Sequence, residues 1–116
     1  MNPNKNIFRL EHVVESIEKI EFITKELSFI QYMDDWIKQD AIVRNIEIIG
    51  EAIRNVDEEL IITYPKVPWK EARGMRNLLI HEYFRIEHEE VWRTLNEDLP
   101  KLKIQIISII NDIKNI

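Results

Sequence analysis

Apolar residues recur along this chain at helical intervals. From Asn6 to about Leu27, Ile7, Leu10, Val13 or Val14, Ile17, Ile20 and Ile23 fall every three or four residues. That spacing predicts a first helix with one buried stripe. From about Asp35 to Leu60, Ile42, Ile46, Ile49, Ile53, Val56 and Leu60 step by four, three, four, three and four, the pattern of a seam packed against another helix. Gly50 lies within it at a cost of roughly 1 kcal/mol relative to Ala, either offset by close approach of a neighbour or simply tolerated. Between these helices, Ser28 to Asp34 has no clean period and reads as a helical turn or a packed connector.

Pro65 and Pro68 end the second helix, because each removes a backbone donor and restricts the residue before it. A third helix is then expected from about Trp69 to Tyr83 or Phe84, followed by a short one near His88 to Asn96. Asp98 reads as an N-cap, with Pro100 in the first turn of a last helix over about Leu99 to Ile113. In that helix Leu102, Ile106, Ile109 and Ile113 form a stripe that Ile107 and Ile110 widen, enough to cover more than one partner helix or to supply a dimer surface. The pattern predicts an all-α, up-and-down four-helix bundle with a short additional helix, in a single domain over residues 1–116.

Composition narrows the function. Two glycines and four prolines in 116 residues are too few punctuation marks for a fold of many short strands. With no cysteine, disulfides, thiolate metal sites and cysteine nucleophiles are excluded. The polar start, Met1-Asn2-Pro3-Asn4-Lys5-Asn6, is no secretory signal, and no stretch approaches the roughly 20 apolar residues of a membrane span. A cytoplasmic protein without membrane contact is expected. The net charge of -5 argues against coverage of a long phosphate backbone, so any RNA contact must be local. Charge is uneven, however: Lys70, Arg73, Arg76 and Arg85 lie close in sequence, opposed by Asp57, Glu58 and Glu59.

Imidazole chemistry would have to come from His12, His81 or His88. The first sits on an amphipathic helix and the last in Glu87-His88-Glu89-Glu90, contexts that suit surface or packing duty. His81 is accompanied by Arg76, Asn77 and Tyr83, all able to bind phosphate or exchange protons. On a helix, Asn77 and His81 would share a face and Arg76 and Tyr83 would nearly eclipse. RNA carries its own nucleophile, the 2′-hydroxyl, so its cleavage needs only proton transfer and stabilisation of phosphate charge. His81 can serve as general base or acid, Arg76 can hold phosphate oxygens in its fork, and Asn77 can orient either. If the third helix met its twin across a two-fold axis, two Arg76 and two His81 would share one cleft and supply both base and acid.

The stretch Arg76-Asn77-Leu78-Leu79-Ile80-His81-Glu82-Tyr83 resembles the motif of HEPN ribonucleases, an arginine and a histidine four to six residues apart, commonly with a polar residue after the arginine. Its arginine-x4-histidine-x-tyrosine form is similar to that of the HepT toxins. Arg44-Asn45-Ile46-Glu47-Ile48-Ile49-Gly50-Glu51-Ala52, Trp69-Lys70-Glu71, Val91-Trp92 and Asp98-Leu99-Pro100 extend the resemblance over nearly the whole chain. It implies a metal-independent endoribonuclease toxin without cofactor, working as a homodimer with a composite cleft and paired with an antitoxin of the minimal nucleotidyltransferase type, MntA. By position, Arg76 and His81 would be catalytic and Asn77 their polar neighbour. Tyr83 maps onto the tyrosine to which the antitoxin adds AMP, whose negative charge beside Arg76 would repel RNA. Relatives often carry Asp where this chain has Glu87.

Other assignments compete. Arg44, Glu47 and Glu51 share a helical face and form either a buried polar cluster behind the site or an intrahelical salt bridge. Trp36, Trp69 and Trp92 suit the core of a small bundle better than base stacking. A non-catalytic helical partner of a nucleotidyltransferase would share Tyr83 but would not require His81. A metal site from His81, Glu82 and Glu87, or from His88, Glu89 and Glu90, lacks persuasive ligand spacing.

Overall fold

In the computed structural model, residues 3–75, 80–81 and 85–115 are described, with the backbone alone at Pro3, Ile80 and His81. Helix α1 (Pro3–Thr24) lies along α3 (Trp36–Arg54), and the two predicted stripes meet between them. Leu10, Val13, Ile17 and Ile20 from one side and Ile42, Ile46, Ile49 and Ile53 from the other are all buried. Each contributes about 1.5–3 kcal/mol by leaving water. A third helix, α7 (Leu99–Lys114), completes the core with Leu102, Ile106, Ile109 and Ile110. The fold is all-α, as the periodicity predicts.

Helix boundaries differ from the sequence reading where polar groups intervene. α1 stops at Thr24 rather than near Leu27, because Glu26 adopts the left-handed region at φ 60° and turns the chain. The unassigned stretch contains α2 (Phe29–Met33), started by a capping box: Ser28 Oγ accepts the Gln31 amide at 3.1 Å, and Gln31 Oε1 accepts the Ser28 amide at 2.9 Å. Asp35 caps α3 by accepting the Lys38 amide at 3.0 Å.

The single helix expected from Asp35 to Leu60 is broken. α3 ends at Arg54, and α4 (Glu58–Thr63) begins after Asn55-Val56-Asp57. Helix ends orphan backbone groups, and α1 supplies partners for them here. The Arg9 guanidinium donates to the Asn55 carbonyl. The fully buried Asn6 brackets Asp57, its Oδ1 accepting the Asp57 amide at 3.2 Å and its Nδ2 donating to Asp57 Oδ2 at 3.3 Å. Val56 and Leu60 stay buried across the break, so the apolar stripe outlasts the helix that was read from it.

The third predicted helix also requires correction. α5 spans only Trp69–Arg73; Gly74 follows as its C-cap, its amide reaching the Lys70 carbonyl at 3.0 Å. Further on, β1 (Ile80–His81) pairs antiparallel with β2 (Arg85–Ile86), Ile80 opposite Ile86 and His81 opposite Arg85. Extended backbone in this ladder cannot belong to a helix running from Trp69 through His81. The ladder is two residues long and leaves the architecture helical.

The last two predicted helices are one continuous run. α6 (His88–Arg93) passes through a π-helical turn, Thr94–Asp98, into α7. Asp98 is helical and makes no side-chain cap bond, so it is not an N-cap. Pro100 has no amide hydrogen, and its ring crowds the carbonyl four residues back. The wide turn relieves this, with the Leu99 amide reaching the Thr94 carbonyl five residues back. Asp98 instead pairs with Arg93 at 3.1 Å.

Asn6→Ala removes both bonds of the buried bracket and is expected to lower stability by about 1–3 kcal/mol. Urea unfolding would measure it, and an unchanged midpoint would mean that the α3–α4 break holds without α1.

Candidate functional site

Of the predicted site residues, Arg76, Asn77 and Tyr83 lie outside the described residues, and His81 is described by its backbone in β1. The segment is framed on both sides. On entry, Trp69, Ala72 and Met75 are buried and fix the base of α5, with Trp69 Nε1 donating to the Tyr64 carbonyl at 2.8 Å. On exit, half-buried Ile86 packs against the core just before α6.

Alongside the entry lies a recess of about 630 Å³, lined by Arg54, Ile61, Trp69, Lys70, Arg73 and Gly74. Lys70 and Arg73 belong to the basic cluster seen in the sequence. Arg54 joins them from the end of α3, and nothing in its sequence context announces this, because the tertiary fold alone brings α3 and α5 together. Arg73 Nη2 meets the Glu58 carboxylate of α4 at 3.3 Å.

Arg44, Glu47 and Glu51 share a face of α3 that lines a second recess, also of about 630 Å³, with Arg9 and His12 of α1. The face is open to solvent rather than interior: Arg44 is 71% exposed and pairs with Glu47 at 3.7 Å, three residues along the helix. Such a pair contributes a few tenths of a kcal/mol. His12 lies against Phe8, ring centroids 4.4 Å apart.

His88 is engaged structurally. Its Nδ1 is 2.7 Å from the hydroxyl of Tyr32, whose phenol is fully excluded from solvent and edges onto the imidazole. Burial pushes the Tyr32 phenol well above its ordinary value, so it stays protonated, and the tautomer of the imidazole sets which of the two groups donates. Trp92 and Phe29 complete an aromatic cluster around this pair. Trp92 and buried Trp69 therefore serve the core as expected, whereas Trp36 is 68% exposed at the start of α3 and does not. Among the described residues, no three or more His, Asp or Glu side chains converge as metal ligands.

The family described as Ribonuclease HepT-like matches residues 13–109, which include the Arg76–Tyr83 motif and both of its flanks. The chain belongs to that family. This HepT-like chain is 42% identical over 94 residues to the probable ribonuclease HepT of Thermococcus cleftensis, covering 81% of the chain and 86% of that protein. It is 40% identical over 101 residues to a protein of Caldanaerobacter subterraneus named as a candidate RNase, covering 87% and 90%. A longer Methanocaldococcus jannaschii protein, named for a gamma-glutamylcyclotransferase and a candidate RNase, is 41% identical over 104 residues. That match takes in 90% of the chain but only 47% of the longer protein. No solved structure matches. No helix of the described residues is long and apolar enough to cross a membrane.

The Tyr32–His88 bond makes a prediction for this HepT-like fold. Tyr32→Phe is expected to cost about 1 kcal/mol at pH 7. A phenol whose folded pKa is raised contributes stability that is complete below about pH 10, the ordinary phenol value, and is lost as pH rises beyond it. Tyr64 is raised too, by burial and then by Asp112, so the informative quantity is the difference between wild type and Tyr32→Phe. That difference, read from urea unfolding at pH 7 and pH 10.5, should shrink at the higher pH; a constant gap would contradict the assignment.

Proposed function

We propose that this chain is a metal-independent endoribonuclease toxin of the HepT type, acting in the cytoplasm as a single-domain homodimer. The observation that carries this reading is the family match across residues 13–109, within which Arg76, His81 and Tyr83 keep the arginine-x4-histidine-x-tyrosine spacing. Ribonuclease names among relatives that align over most of their own length support the same substrate.

In the proposed reaction, one His81 takes the proton of the RNA 2′-hydroxyl, which attacks the adjacent phosphorus. Its symmetry mate protonates the departing 5′-oxygen. Arg76 neutralises charge that builds on the non-bridging oxygens, and Asn77 orients the pair. The reference imidazole pKa near 6.5 leaves both protonation states available around neutrality. The substrate supplies the nucleophile and two imidazoles supply the proton transfers, so a metal ion is not required by this chemistry.

Tyr83 would be the control point. A nucleotidyltransferase antitoxin of the MntA type would join its phenol oxygen to the α-phosphorus of ATP with release of pyrophosphate. The added phosphodiester places negative charge where RNA phosphate must approach Arg76.

His81→Ala is expected to slow RNA cleavage by about 10²–10⁴-fold, in the presence of chelator, while AMP transfer to Tyr83 by such an antitoxin continues. Gel assays of RNA cleavage and mass spectrometry of the modified chain would report the two effects separately. Wild-type protein that leaves RNA intact at high concentration, yet accepts AMP, would make the chain a non-catalytic partner instead.

A further inference from the structure

The recess beside α5 collects cations in an acidic protein. Arg54 from α3 and Lys70 and Arg73 from α5 line it together with Ile61, Trp69 and Gly74; among the described residues no carboxylate lines it. Like charges gathered in one recess repel one another, and an anion relieves that repulsion. The chain as a whole carries -5, so this concentration of positive charge runs against the average.

We infer that this recess is a phosphate subsite for the RNA strand, holding a phosphodiester next to the scissile one through Arg54, Lys70 and Arg73. The inference rests on the ribonuclease reading and deepens it by naming where an acidic enzyme grips a polyanion. Three features of the recess support it. Gly74 at its edge is two residues before Arg76, so the recess adjoins the motif along the chain. Arg54 and Lys70 are exposed and free to meet backbone oxygens, and no ion pair is found for either among the described residues. Arg73 is about one-third exposed; its Nε is buried, and Nη2 is turned out to Glu58, itself 71% exposed. Its fork thus already meets an anionic oxygen at the rim, one that a phosphate can replace. Trp69 is buried, so the site offers charge without a stacking surface, and it should be indifferent to base identity.

The test uses the full chain and a labelled twelve-nucleotide RNA. Each single-strand phosphate contact contributes about 0.7 to the slope of log affinity against log salt, which is about fivefold at 0.1 M relative to 1 M. Arg54→Gln combined with Lys70→Gln should therefore flatten the slope of log KM by about 1.4 and raise KM about 25-fold at 0.1 M salt. The charge-conserving Arg54→Lys, Lys70→Arg pair should restore most of the loss. Glu58→Gln, which releases Arg73, should lower KM.

If wild type cuts RNA and the Gln pair keeps its KM and slope, the recess plays no part and the ribonuclease reading stands. Should wild type not cut RNA, that reading falls. Fluorescence anisotropy of the same RNA then decides the subsite by the same slope. A slope change equally large on a dinucleotide would assign the recess to a lone phosphate and overturn the strand subsite.

Discussion

Burial of one face of α1 against one face of α3 constrains the rest of the structure. The stripes Leu10-Val13-Ile17-Ile20 and Ile42-Ile46-Ile49-Ile53 fix the two helices side by side. Their alignment brings the first turns of α1 to the place where α3 breaks. Asn6 and Arg9 then meet polar groups at that break, the amide and carboxylate of Asp57 and the carbonyl of Asn55. Because α4 and α5 follow that break, the position of the basic recess depends on the α1–α3 pairing many residues away. A polar contact at one end of an apolar seam thus sets the direction of the chain leading into the motif.

Much of this was legible in residue order, because helix burial has a period and period survives translation into sequence. Ile42, Ile46, Ile49, Ile53, Val56 and Leu60 are all buried, as their spacing indicates. What the period cannot carry is continuity: Val56 and Leu60 remain in step across a break made by Asn6, fifty-one residues from Asp57. Ser28 and Gln31 were a readable capping box hidden by the absence of a clean apolar pattern around them. The wide turn at Thr94–Asp98 shows the opposite failure, since Asp98-Leu99-Pro100 looks like a helix start and is the interior of one.

The motif behaves differently again. Its residues are recognisable by type and spacing, and the family match covers them. Arg54 is not recognisable in that way: it is one exposed arginine among several, and only the packing of α3 on α5 puts it beside Lys70 and Arg73. Arg44, Glu47 and Glu51 show that shared helical phase does not determine depth, because their face looks outward.

The π turn gives the run from His88 to Lys114 a particular mechanical character. Each residue in an α-helix advances the side-chain direction by about 100°, so one extra residue accommodated in a wide turn re-phases everything downstream. Val91 before the turn, Leu95 within it and Leu99, Leu102 and Ile106 after it are all buried, so the run keeps one inward side through the change in winding. At about 1.5 Å per residue the run is a rod of about 40 Å with the wide turn near its first third. One residue added to or taken from Thr94–Asp98 would therefore swing the buried stripe of α7 by about 100° relative to that of α6.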